Sequence, residues 1–296
     1  MTERFLVLLQ YVLPKRALTV LMGRLAAARA GWLTHAVVRW FVRRYRVEMG
    51  EAAQPDLETY PSFNEFFTRA LRDGVRPIAH ARWICPVDGA ISQLGRIDGD
   101  RILQAKGHRY SARELVGGDA ALAATFQDGE FATLYLSPKD YHRIHMPCAA
   151  RLRRMIHVPG TLFSVNPVTV GAIPGVFARN ERVVCLFESA HGPFVMALVG
   201  ATVVGSIATT WHGVVSPPRP GSLREWRYDD APVLLGQGDE MGRFLVGSTV
   251  VMLFPAGAVR FDQGWVPGRA IRMGEAMARA CARRDAGPGS ARGRGK

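Results

Sequence analysis

Three short stretches hold polar residues that a strand or turn would not need. They are Pro86-Val-Asp-Gly89, Ser137-Pro-Lys-Asp-Tyr-His-Arg-Ile-His-Met-Pro147 and Gly247-Ser-Thr249. Asp88, His145 and Ser248, in that order, are the parts of an activated hydroxyl: the histidine takes the serine proton and the aspartate fixes the ring's tautomer. Each stretch also has an ordinary structural use. Asp-Gly is a common turn pair. His142 and His145, in a turn closed by Pro138 and Pro147, can be surface or hydrogen-bonded histidines. A metal site would need more ligands than this H-x-x-H offers, and none is obvious nearby in sequence, so no metal is assigned. Gly247 can mark a β-bulge, with the hydroxyls of Ser248 and Thr249 bonded to local backbone.

The serine lies within Phe244-Leu-Val-Gly-Ser-Thr-Val-Val-Met-Leu-Phe254, an apolar, β-branched run of the kind found in a sheet core. It is not in the G-x-S-x-G elbow of common serine hydrolases. A Gly-Ser bond in a bent strand allows a different reaction. The Ser248 hydroxyl attacks the Gly247 carbonyl, and the amide becomes an ester. Glycine permits the strained backbone and leaves that carbonyl unobstructed. β-Elimination then releases the upstream chain and leaves dehydroalanine, which hydrolyses to a pyruvoyl group. Such a ketone works as an electron sink without a bound cofactor.

The elements that must position these residues are legible in outline. The chain has 296 residues, nearly half of them apolar, enough for a substantial core. From Trp83 onward, short apolar runs separated by Gly, Pro, Asp and Asn predict antiparallel strands, not a βαβ repeat. Examples are Phe131–Leu136, Val183–Phe187, Phe194–Val204 and Phe244–Phe254. Ser62 followed by Glu65 marks the start of a short helix, and another short helix is expected from Gly274. The fold class expected is α+β: amphipathic N-terminal helices, then a β-rich core of antiparallel sheets. The expected parts are an arm over 1–49, a catalytic domain over 50–274 and a basic, unordered tail over 275–296.

Net charge is +13, and residues 1–50 carry nine Arg or Lys against Glu3 and Glu48. Residues 5–14 and 30–42 are strongly apolar but shorter than the ~20 residues a spanning helix needs. Pro14 ends or kinks the first. Apolar helices flanked by Arg, Lys, Trp and Tyr suit a membrane interface rich in anionic lipid. The same pattern also suits an amphipathic helix packed on the protein's own core. No nucleic-acid motif accompanies the basic arm, so nucleic acid is not an expected partner. Cys85, Cys148, Cys185 and Cys281 show no metal or disulfide spacing and are expected to be reduced thiols. No secretory signal is evident.

Pro86-Val-Asp-Gly-Ala-Ile-Ser92, Leu136–Pro147, Phe177-Ala-Arg-Asn-Glu-Arg182 and Val246-Gly-Ser-Thr249 together resemble the bacterial phosphatidylserine decarboxylase proenzymes. So do Leu103–His108, Val158-Pro-Gly160 with Phe163-Ser-Val-Asn166, and Glu240–Phe244. The resemblance runs from the arm to about residue 260. One departure is Val246, where the family has leucine; it leaves the reacting atoms untouched. The resemblance implies that Asp88, His145 and Ser248 drive cleavage between Gly247 and Ser248, with Ser248 converted to pyruvic acid. A large chain (1–247) and a small one (248–296) would stay associated, in a homodimer. His142 is similar to the family histidine implicated in substrate handling and protonation. The substrate amine would form a Schiff base with the pyruvoyl group, lose CO2 and leave as phosphatidylethanolamine. The enzyme would be peripheral, on the cytoplasmic side of the cell membrane. Val158–Val165 is a candidate mobile loop for acyl chains, or else a core β-turn. A lipid-acting serine hydrolase using the same three residues is the alternative.

Ser248→Ala, His145→Ala and Asp88→Ala are each expected to leave one uncleaved, inactive chain on a denaturing gel. Full activity in an uncleaved Ser248→Ala protein would rule the mechanism out.

Overall fold

The strand that begins at the candidate serine, Ser248–Phe254, runs through the middle of the molecule. Along it, side chains alternate between two separate cores: Val250, Met252 and Phe254 on one side, Val251 and Leu253 on the other. Both faces being covered, the segment reads as one apolar run without polar alternation. Both edges are paired as well, with Glu130–Leu136 and with Gly192–Val199.

The computed structural model describes residues 2–202, 206–219, 221–245 and 248–279. Val246, Gly247, Cys281 and the basic tail from 280 lie outside the described residues. The described chain is α+β. Its largest sheet has nine strands, in the order Arg224–Arg227, Ala150–Val158, Arg182–Ser189, Gly192–Val199, Ser248–Phe254, Glu130–Leu136, Gly89–Arg96 and Ala270–Ile271, with Val233–Leu235 also pairing Ala150–Val158. All strand pairs in it are antiparallel.

A smaller sheet of four strands orders Gly213–Ser216, Ile207–Thr209, Glu240–Phe244 and Arg143–His145. The expected single strand over Phe244–Phe254 is therefore two. Glu240–Phe244 belongs to the small sheet and Ser248–Phe254 to the large one, so the chain changes sheets between Phe244 and Ser248. His145 likewise sits in a strand, where a turn was expected, and its register partner is Glu240.

The N-terminal arm has three helices where the apolar runs suggested two: α1 (Thr2–Val12), α2 (Lys15–Ala27) and α3 (Trp32–Tyr45). The middle one is rich in Ala and Leu, good helix formers, but its scattered Arg and Lys hid it from an apolar-run reading. Pro14 separates α1 from α2, as the sequence predicts. Helix α3 carries two apolar stripes. Thr34, Val38 and Phe41 are buried, while Leu33, Val37 and Trp40, at the same spacing one position earlier, face outward.

Helix α4 (Phe63–Phe67) starts as predicted, with the Ser62 hydroxyl accepting from the Glu65 amide at 3.2 Å. It packs its aromatic rings on α3: Phe41 lies 5.0 Å from Phe63, 5.9 Å from Phe66 and 6.0 Å from Phe67, ring centre to ring centre.

The helix expected from Gly274 is instead a strand, Ala276–Arg279, paired with Trp83–Ile84 and Arg260–Phe261. Met277 and Ala278 are buried, so tertiary burial overrides helix propensity there. The β-rich part thus continues past residue 274 to Arg279. The Val158–Val165 segment takes the core alternative, since Leu162 and Phe163 are only 1% and 2% exposed. The Asn180 side chain holds it, accepting from the Phe163 amide at 3.0 Å and donating to the Phe163 carbonyl at 2.8 Å.

Candidate active site

The candidate residues are brought together by strand ends. In the large sheet Ala90 pairs with Tyr135 and Tyr135 with Thr249, while Leu136 pairs with Ser248. Gly89 lies one residue nearer that end, and a side chain there is excluded. A Cβ would stand 2.2 Å from the Tyr135 carbonyl oxygen and 3.4 Å from the Leu136 Cα, with φ at +154°. Glycine is thus what lets the Asp88 segment cross directly over the end of Glu130–Leu136. Beyond Leu136 the chain turns at Ser137, whose amide and hydroxyl both donate to Asp140 Oδ2 at 2.7 Å, and enters the strand bearing His145. The His145 amide donates to the Pro86 carbonyl at 2.9 Å, and the Phe244 amide to the His142 carbonyl at 3.1 Å. Asp88, the histidine pair and the approach to Ser248 therefore share one corner of the fold.

Within that corner, the side-chain contacts differ from a simple relay. The Asp88 carboxylate is held by Arg76, whose Nε lies 3.0 and 3.1 Å from its two oxygens and whose Nη2 lies 2.6 Å from Oδ2. The Met273 amide donates to Oδ1 at 2.8 Å. Arg76 also pairs with Glu51, which in turn reaches Arg272. None of the hydrogen bonds to Asp88 comes from His145.

His145 is oriented by another group. Its Nδ1 is 2.7 Å from the Gly238 carbonyl, which can only accept, so Nδ1 carries the proton. Gly238 has φ +85°, a conformation that favours glycine. Nε2 is then the bare nitrogen, and at 3.0 Å it accepts the Tyr141 hydroxyl. Burial lowers the His145 pKa, opposed by its hydrogen bond to the Gly238 carbonyl and by the charges of Glu240 and Asp88. Asp88 thus acts on the imidazole through its field.

His142 is fully buried and stacks on Phe67, ring centres 4.0 Å apart. Its Nε2 faces the Ser137 carbonyl at 3.1 Å and must carry the proton. Nδ1 is therefore a buried lone pair, with no hydrogen-bond partner among the described residues. Burial, reinforced by the charge of Arg69, pushes its pKa down to about 3. Through Phe67 this histidine is joined to α4 and so to the N-terminal arm.

Arg76, Gly238, Tyr141, Glu51 and Arg69 are the site residues that sequence reasoning did not single out. Tyr141 stands inside the 137–147 stretch and could have been weighed with it. Nothing in the sequence separates Arg69 or Arg76 from 38 Lys and Arg. Among the described residues no group of three or more His, Cys, Asp or Glu is arranged to hold a metal ion. Cys85, Cys148 and Cys185 are buried free thiols.

Comparison with known proteins points the same way along nearly the whole chain. A family model described as phosphatidylserine decarboxylase matches residues 63–279, and a second, described as PSD, matches residues 5–46. A protein of Methylibium petroleiphilum named phosphatidylserine decarboxylase proenzyme is 69% identical over 278 residues, 94% of this chain and 98% of its own. Proteins of the same name from Azoarcus sp. and Delftia acidovorans are 67% and 66% identical, again over 94% of this chain and over 96% and 98% of their own.

The lowered His145 pKa sets a pH expectation for any reaction that uses it as a base. The neutral ring persists below the ordinary value near 6.5, so the rate should stay level as pH falls through 6.5 and drop only in more acid solution. Following chain cleavage against pH checks this, and an inflection above 6.5 would contradict it.

Proposed function

The chain belongs to the phosphatidylserine decarboxylase family, and from that premise we propose that Ser248 becomes the enzyme's pyruvoyl group when the Gly247–Ser248 bond is cleaved. The observation that carries this reading is the convergence of Asp88, His145 and the start of the Ser248 strand at one end of the large sheet. His145 would take the Ser248 proton on Nε2, whose lone pair is fixed there by the Gly238 carbonyl. The Tyr141 hydroxyl now on that nitrogen must turn aside or pass the proton along. Asp88 would favour the resulting imidazolium by its charge, held in place by Arg76 and the Met273 amide.

The residues around this position fit such a prosthetic group. A pyruvoyl ketone would supply the electron sink for loss of CO2 from an amino-acid headgroup. His142, neutral and with Nδ1 bare, is suited to accept a hydrogen bond from the substrate, while so low a pKa makes it a poor proton acceptor until its surroundings change. The serine hydrolase alternative gains no support from the relatives, which are named as decarboxylase proenzymes.

We further propose that the N-terminal arm lies in the membrane interface. No helix among the described residues is long and apolar enough to cross a membrane. Leu33, Val37 and Trp40 nevertheless form an outward apolar stripe, and Trp32 and Val12 are 77% and 82% exposed. Arg39, Arg43 and Arg44 border that stripe on the same helix, the pairing of apolar and basic groups that anionic lipid attracts. The inward stripe packs on α4, so both uses of an amphipathic helix are present on α3.

Denaturing intact-mass measurement on protein expressed with lipid present should give two species. One ends at Gly247, and the other starts at a residue 248 lighter by the mass of ammonia. The cleaved protein should release CO2 from phosphatidylserine; a cleaved protein that releases none would overturn the proposal. The double change Leu33→Asp with Trp40→Asp should abolish co-sedimentation with phosphatidylglycerol vesicles while leaving cleavage intact. Undiminished co-sedimentation would remove the arm from the interface.

A further inference from the structure

Beside the candidate site lies a cavity of about 340 Å³, lined in part by Arg69, Asp88, Gly89 and Tyr141. Arg69 is 5% exposed. One nitrogen donates to the Lys139 carbonyl at 3.3 Å, and Nε is buried with no partner among the described residues. Its guanidinium also lies 5.5 Å from the centre of the Phe66 ring. Every acidic side chain lining the cavity is already engaged by another group. Asp88 is held by Arg76 and the Met273 amide, and Glu51 by Arg76 and Arg272. Asp140 is bonded to Ser137, Glu48 to the Gly50 amide and Glu275 to Arg269. A buried guanidinium with no directly paired carboxylate, only the charges of Asp88, Asp140 and Glu51 acting from farther off, is costly to keep. The cost is offset if an anion enters the cavity, and arginine matches a phosphate in both charge and geometry.

We propose that Arg69 binds the phosphodiester of the lipid headgroup, seating it in the cavity it shares with Asp88, Gly89 and Tyr141. This rests on the decarboxylase reading above. That headgroup has two anions, and the chemistry chooses between them. The carboxylate loses its charge as CO2 leaves, so a cation set against it would stabilise the ground state more than the transition state and slow the reaction. The phosphodiester is unchanged throughout, and a cation there binds substrate and transition state alike. Such a contact lowers KM and leaves kcat largely alone. The position suits this division. The cavity meets the site at Asp88 and Gly89, beside the end of the Ser248 strand, and the charge of Arg69 reaches His142.

Steady-state kinetics on Arg69→Gln and Arg69→Lys, after each is checked for chain cleavage, test the assignment. Arg69→Gln is expected to raise KM for phosphatidylserine in mixed micelles by about 10- to 100-fold, with a much smaller change in kcat. Arg69→Lys should recover part of that loss. Dihexanoyl phosphatidylmethanol, a phosphodiester with neither amine nor carboxylate, used below its micellar concentration, should compete in the wild-type enzyme and lose its effect in Arg69→Gln. Unchanged KM and unchanged inhibition in a cleaved Arg69→Gln protein overturn the assignment. So does a fall in kcat alone, the sign of a carboxylate or proton-transfer role. If Arg69→Gln stays uncleaved, the wild-type enzyme decides, because no competition by phosphatidylmethanol there is equally fatal. A cleaved wild-type protein that releases no CO2 counts against the decarboxylase reading, and not against the anion site.

Discussion

Everything at the candidate site hangs on one strand that is held from four sides. Ser248–Phe254 is hydrogen-bonded along both edges and buried on both faces. Val250 to Phe254 are fully buried, and five apolar side chains removed from water are worth on the order of 10 kcal/mol by area. That is comparable with the net stability of a whole domain. None of this depends on the peptide bond preceding Ser248. The backbone can therefore be opened there without releasing the strand, and the new terminus stays where the fold puts it. The proposed self-cleavage needs a cut at such a place.

The same arrangement explains why the chain changes sheets just before the serine. Glu240–Phe244 is tied to the strand of His145, and Ser248–Phe254 to Glu130–Leu136. The chain thus passes from one ladder to the other between Phe244 and Ser248. Gly89 meets the same end from the other side, where a methyl group would strike the Tyr135 carbonyl. The site is thus assembled from backbone ends more than from a cleft, and its histidine is oriented by a backbone carbonyl.

Helix α4 links this corner to α3 of the arm. Phe41 packs on the rings of α4, and Phe67 at the end of α4 stacks on His142. The exposed apolar stripe of α3 and a histidine beside the candidate reactive position are therefore two helices apart. Between the two lies Arg69, at the C-terminal edge of α4. A lipid reaching the site from the arm's side would meet that guanidinium beside the cavity.

Local signals in the sequence carried much of this. The Ser62 cap, the break at Pro14 and most core strands follow from hydroxyl, proline and β-branched chemistry acting over a few residues. The polar groups at 86–89, 137–147 and 247–249 stood out because they interrupt apolar patterns without need. The three-dimensional fold alone decided the rest, since it depended on partners distant in sequence. Gly274 onward became a strand because Trp83–Ile84 offered it an edge, and α2 formed under an even spread of Arg and Leu that masks its stripe. Asp88 was legible as an acid, but its pairing with Arg76 was not, because they lie twelve positions apart with the strand Trp83–Ile84 between them. His145 was legible as a base, whereas its tautomer came from the backbone carbonyl of Gly238, 93 positions away in sequence. Side-chain chemistry is written residue by residue; which atoms face each other is fixed only when the sheets close.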